Sequence, residues 1–91
     1  MRRFKFDLSN SREVKRKHGI SLAEAQEIFQ QVYVLDRKAD DPEQFRDIGW
    51  IGPSLYSVIF EVRHDVEGEY SHLITAWKST RQEEQVYANN I

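Results

Sequence analysis

The chain has 91 residues, 40% hydrophobic and 31% charged, with a formal net charge of −2 and no cysteine. That length gives one domain, residues 1–91, and that mixture is globular rather than disordered. The lack of thiols excludes disulfide and zinc–thiolate chemistry and points to a reducing, cytoplasmic setting, and no apolar run approaches the roughly 20 residues of a membrane helix.

Phe4-Lys5-Phe6 alternates apolar and polar, the period of a short strand. Met1-Arg2-Arg3 has no apolar core behind it, so no signal peptide is expected. Asp7, Ser9 and Asn10 are each able to cap a helix over residues 10–18, in which only Val14 is apolar. Gly19 ends it as a left-handed cap, with Lys15, Arg16, Lys17 and His18 at the negative end of the helix dipole. The first twenty residues hold seven cations and two acids, and the rest of the chain six cations and thirteen acids. A basic end of this kind collects phosphates or is a solvated face, while the acidic body lowers general nucleic-acid affinity or meets a basic partner.

Ser21-Leu22-Ala23-Glu24 is a capping box, and Leu22, Ala25, Ile28, Phe29 and Val32 predict an amphipathic helix over 22–31, with Ile20 as its hydrophobic staple. Tyr33-Val34-Leu35 reads as a strand, and residues 36–43, with Pro42, as a charged mobile loop. Phe45, Asp47, Gly49 and Ile51 then alternate with Arg46, Ile48 and Trp50. Gly52-Pro53-Ser54 is a turn, 55–62 a β-branched and aromatic strand, Val66-Glu67-Gly68-Glu69 a hairpin turn, and 70–77 the returning strand. Thr80-Arg81-Gln82-Glu83 is a second capping box, opening a helix that turns Val86 and Tyr87 inward.

The order is β-α-α-β-β-β-β-α. It predicts an α+β fold: a four-strand antiparallel meander plus a short N-terminal strand, with three helices covering one face. Basic groups at the mouth of such a sheet, without a cofactor motif, point to a small nucleic-acid-directed domain.

Phe4-x-Phe6-Asp7, Lys17-His18-Gly19-Ile20-Ser21-x-x-Glu24-Ala25-x-x-x-Phe29, Asp36, Arg46-x-Ile48-Gly49, Ile74-x-Ala76-x-Lys78, Glu83 and Tyr87 follow in an order and spacing that resemble the BrnT family of bacterial toxins. The resemblance runs over about residues 4–87. It implies a RelE-like fold, ribonuclease activity that arrests translation, and neutralisation by a BrnA-type antitoxin. Operator DNA would be reached only through that antitoxin. The chain departs from the family pattern at Val14 (usually Asn), at Trp77 and His72 (usually or often Arg), and at Gln82, Glu84 and Gln85, where the family is commonly basic. Each lost Arg removes a fork of donors matched to phosphate.

RNA cleavage needs a base for the 2′-hydroxyl, an acid for the leaving oxygen and cations on the phosphate. His18, His64, His72, Glu83 and Tyr87 are the proton handlers on offer, and Lys17, Arg46, Arg63, Lys78 and Arg81 the phosphate ligands. Lys17 beside His18 favours a neutral imidazole, a base near neutrality; the plainer role is a ring capping carbonyls at a helix end. Lys78 precedes the last helix, whose N–H groups also face anions. Glu83 moves protons or merely closes the capping box with Thr80. His72 and Trp77, five apart on one strand, are expected on opposite faces, with Trp77 either in the core or stacking on a base. His64 beside Asp65 reads as a solvated loop residue. Arg46 and Arg63 project from the sheet or pair with acids such as Asp47 and Glu61.

No His or Cys spacing suits a metal, and no Gly-rich phosphate loop is present, so no cofactor is expected. The leading reading is a metal-independent endoribonuclease toxin with catalytic His18, Lys17, Lys78 and Glu83 and RNA-binding Arg46, Arg63, His72, Trp77, Arg81 and Tyr87. It requires His18 and Lys78 to share one electropositive pocket. The alternative is a weak or inactive toxin-like module that pairs with a DNA-binding antitoxin. A third option is a protein-interaction domain with no nucleic-acid role.

Overall fold

The computed structural model describes residues 2–40 and 43–91. Its elements are β1 (Phe4–Lys5), α1 (Leu8–His18), α2 (Leu22–Ala25) continued by a 3₁₀ turn (Gln26–Gln30), β2 (Tyr33–Asp40), β3 (Glu43–Ile51), β4 (Ser54–Asp65), β5 (Gly68–Lys78) and α3 (Arg81–Asn89). The predicted order is the observed one. The sheet runs β1-β5-β4-β3-β2, with an antiparallel meander from β2 to β5. β1 is added at the edge, parallel to β5, through Phe4 opposite Ser71 and Lys5 opposite His72.

Of the three candidate caps before α1, Asp7 is used. Its side chain accepts from the Asn10 N–H at 2.9 Å, so the helix starts two residues earlier than residue 10. Gly19 ends it at φ 77°, a left-handed conformation that costs glycine nothing. Ser21 and Glu24 form the expected capping box. Beyond Ala25 the second helix departs from the prediction: it tightens into a 3₁₀ turn, and Val32 is 70% exposed rather than in the core. Leu22, Ala25 and Ile28 are all fully buried and lie three residues apart. That spacing suits three residues per turn. Ile28 also lies over Gly49 of β3, where an added Cβ would come within 2.9 Å of the Ile28 Cγ1.

The charged stretch expected as a loop is mostly strand. β2 continues to Asp40 and β3 begins at Glu43, with Asp36 opposite Arg46 and Asp40 opposite Glu43. Pro42 lies outside the described residues. β2 is the outermost strand, where charge is tolerated and blocks edge-to-edge association.

Register sorts the side chains of the sheet onto two faces. Phe45, Asp47 and Gly49 of β3 lie opposite Phe60, Val58 and Tyr56 of β4. On β5, Leu73 and Ala76 complete this set. Val14, Ile20, Leu22, Ala25 and Ile28 pack onto this face and form the core with Val58, Phe60, Leu73 and Ala76. Burying each large aliphatic side chain contributes about 1.5–3 kcal/mol. Phe29 adds an aromatic seam, stacked on Phe4 at 4.7 Å and edge-on to Phe60 at 5.4 Å.

The three helices do not share a face. α3 attaches to the opposite side through Glu83, which bonds Arg46 and Trp77 there, and it contacts β3 and β2. The second side of the sheet offers Ile48 and Ile59, both buried, as an apolar surface of its own.

Candidate nucleic-acid interface

The face that carries α3 is only partly covered, and its residues come together through a bulge. Ser57 of β4 lies opposite Trp77, and Glu61 of β4 opposite His72. Ser57 and Glu61 are four apart, so they leave the same side of β4. Their partners are five apart and share that side, because the β4–β5 ladder shifts register between Ile59 and Phe60, which face Thr75 and Leu73 and leave Ile74 as an additional residue. The expectation that His72 and Trp77 face opposite ways is therefore corrected. Arg46, Arg63, His72, Trp77 and Glu83 all converge on this one face.

At the α3 end, Arg46 grips both oxygens of Asp36, at 2.7 and 3.2 Å, and donates to Glu83 Oε2 at 3.2 Å. Arg46 does not pair with Asp47, which points into the core. Glu83 Oε1 accepts from Trp77 Nε1 at 2.9 Å and from the Thr80 N–H at 2.8 Å, so the residue closes the capping box and ties helix to sheet. Burial alone pushes its carboxyl up. The Thr80 N–H, Trp77, Ser57 and the charge on Arg46 together hold it below the ordinary value.

Across β4 and β5 lies a second patch. Arg63 donates twice to Glu61 Oε1, at 2.9 and 2.6 Å, and Gln44 donates to Glu61 Oε2 at 2.8 Å. Hydrogen bonds from Gln44 and Arg63 lower the Glu61 carboxyl. His72 is half-buried, and burial and then the Arg63 charge depress its pKa, which favours the neutral ring. Tyr70 lies edge-on to His72 at 6.5 Å, and the Lys5 ammonium sits 4.4 Å from the Tyr70 ring centroid. Asp65 holds both Arg3 and Lys5, at 2.8 and 2.6 Å, and those hydrogen bonds take its carboxyl far below the ordinary range.

Arg81 and Tyr87 stay on the α3 side, outside these two patches, and the other candidates lie elsewhere. Lys17 pairs with Glu13 at 3.5 Å on α1, and His18 is exposed at the end of that helix, on the side of the sheet away from Glu83. Lys78 ends β5 opposite Tyr56 and is exposed. Arg81 is exposed in the first turn of α3. The Tyr87 hydroxyl donates to the Val32 carbonyl at 3.2 Å and fastens α3 to the start of β2. His64 is 3.6 Å from Glu69 across the hairpin.

Lys5, Tyr70, Asp36 and Glu61 belong to this face but were not on the candidate list. Lys5 reaches it only because β1 pairs parallel with β5, which two residues of pattern do not reveal. Among the described residues no group of three His, Cys, Asp or Glu is placed to hold a metal ion, and no helix is long and apolar enough to cross a membrane.

No family model and no curated protein matches the chain. Among solved structures, it is similar to the crystal structure of the Brucella abortus ribonuclease toxin BrnT, at 20% identity and TM-score 0.63, over 89% of this chain and 100% of that one. The chain thus has the α+β fold of that toxin, as the resemblance of its residues implied.

Proposed function

We propose that the chain is a BrnT-like toxin subunit that cleaves RNA on the α3 side of its sheet without a metal and is paired with a DNA-binding antitoxin. The likeness in fold to a ribonuclease toxin supports the toxin part of this reading. The convergence of Arg46, Arg63, His72, Trp77 and Glu83 on one face is the observation that carries the location.

A neutral, half-buried His72 takes the proton from the 2′-hydroxyl as that oxygen attacks the neighbouring phosphorus. Arg63 meets the charge that builds on the phosphate, and Arg46, at the α3 end of the same face, takes a neighbouring phosphate of the strand. Lys5 and Tyr70 are the groups of the same patch that carry a proton to the departing 5′-oxygen. Trp77 offers an aromatic face to a base, although its N–H is already committed to Glu83.

One observation favours the weaker-nuclease alternative. Arg46 is held by Asp36 and Glu83, and Arg63 by Glu61, so a phosphate binds only by displacing carboxylates. Under that alternative the chain grips its antitoxin and cuts slowly.

Induced expression of the chain alone in a bacterium is expected to arrest growth and translation, and His72→Ala or Arg63→Ala relieves the arrest with the protein still folded. Relief by His18→Ala or Lys78→Ala, with none from His72→Ala, moves the centre to the α1 junction. Absence of arrest, with co-purification of a small DNA-binding protein, selects the alternative.

A further inference from the structure

On the opposite side of the molecule from the proposed cleavage face, α1 and the start of α2 enclose a groove of about 390 Å³. Phe6, Leu8 and Ala23 make one part of its wall apolar, and Arg12, Lys15 and Glu24 make the other part charged. Leu8 is 67% exposed there, while Val14 of the same helix is in the core. Leu8, Arg12 and Lys15 are four and three residues apart and form one stripe of α1. Lys15 is neutralised by Glu24 at 2.8 Å. Arg12 forms no ion pair and no hydrogen bond through its side chain among the described residues, and it is exposed.

We propose that this groove docks an acidic amphipathic helix of a partner protein. A large apolar side chain of the partner sits between Leu8 and Ala23, and a carboxylate one turn away meets Arg12. The spacing is set by α1: four residues at 1.5 Å each put Arg12 about 6 Å along from Leu8, the separation of i and i+4 on a partner helix. Charge complementarity selects the class of partner. α1 carries Arg12, Lys15, Arg16 and Lys17 against the single acid Glu13, in a chain whose net charge is −2. A second copy of this chain that met the groove with its own α1 would bring an equally basic helix and be repelled. RNA would meet the exposed Glu24 carboxylate, and Phe6, the one ring in the lining, is partly buried against the core. The inference rests on the partner-binding part of the reading above, and it is independent of the ribonuclease part.

The test titrates the full-length ¹⁵N-labelled chain with a synthetic helical peptide bearing leucines on one face and glutamates one turn from them. A control peptide carries lysine at every glutamate. Saturable shifts at the amides of Leu8, Arg12 and Ala23 are expected with the acidic peptide alone. Arg12→Glu and Leu8→Ala each weaken that binding by about tenfold or more while leaving RNA cleavage and the melting temperature near the wild type. No saturable shift, shifts confined to other surfaces, or equal binding of the lysine peptide overturns the proposal. So does a dimer formed through this face in sedimentation, or the same shifts raised by a single-stranded RNA oligonucleotide.

Discussion

Replacing Asp47 by asparagine is expected to remove most of the fall in stability that the wild type should undergo between pH 4 and pH 7. Asp47 sits in the middle of β3 on the side covered by α1 and α2, and no part of it reaches solvent. Neither carboxylate oxygen has a hydrogen-bond partner. Burial pushes its carboxyl up to about 7, the Arg2 charge pulls against this, and the Asp36 charge adds to it. A carboxyl raised in the folded state binds its proton more tightly there than in the unfolded chain. Its stabilising effect is complete below the unfolded value of 3.8 and is lost as pH rises through about 7. At about 1.4 kcal/mol per pH unit, the span corresponds to at most about 4 kcal/mol.

Other groups act outside this window or against it. Glu13, Glu24, Glu61, Asp65 and Glu83 are lowered on folding, so their contributions disappear only as pH falls below about 4.5. His72 is also lowered, so its contribution is present above the unfolded value of 6.5 and falls away on acidification, opposite in sign to Asp47. Urea unfolding of wild type and D47N at a series of pH values from 4.5 to 8.5 separates these effects, because only the Asp47 contribution differs. Parallel profiles for the two proteins contradict the assignment. Asparagine keeps the shape and removes the charge; its amide is also left without a partner, so the slope is the readout and not the absolute stability.

Glu83→Ala is expected to cost about 3 kcal/mol and to loosen α3 from the sheet. The side chain is buried and joins three things: the α3 N-terminus through Thr80, the sheet through Trp77, and the Arg46 guanidinium. Removing one partner of a buried ion pair typically costs about 3–5 kcal/mol. Arg46 keeps Asp36, which places the cost at the low end. Glu83→Gln retains an oxygen for the Thr80 N–H and Trp77, but it turns an amide donor toward the Arg46 donors. Its loss is therefore intermediate. Hydrogen exchange in residues 81–89, followed with the melting temperature, checks both variants. Unchanged protection in E83A would mean that α3 is held by other contacts.

Local chemistry made much of the architecture legible. The Ser21 and Thr80 capping boxes, the Gly19 cap, the two hairpin turns and the alternation along β3 each depend on a few neighbouring residues, and each is present. The elements that escaped depend on distant ones. Residues 36–40 have the composition of a loop, yet a ladder with β3 and the Asp36–Arg46 pair make them strand. The 3₁₀ turn at Gln26–Gln30 sets Ile28 against Gly49, a contact between residues far apart in the chain. Of the candidate face the residue types were legible: Arg46, Arg63, His72, Trp77 and Glu83 were named as site candidates, but around a pocket shared by His18 and Lys78. Their meeting was not, because the additional residue at Ile74 reverses the strand parity on which the sequence argument relied. Lys17 and His18 were named from the basic helix junction and the family resemblance, and α1 carries them on the other side of the sheet from Glu83.

Cleavage of a single-stranded RNA by the purified chain, with a metal chelator present, tests the central claim most directly. The account predicts cleavage by the wild type, a rate lower by about 10²-fold or more in His72→Ala with unchanged circular dichroism, and a rate near the wild type in His18→Ala. Wild-type rates in His72→Ala would contradict it.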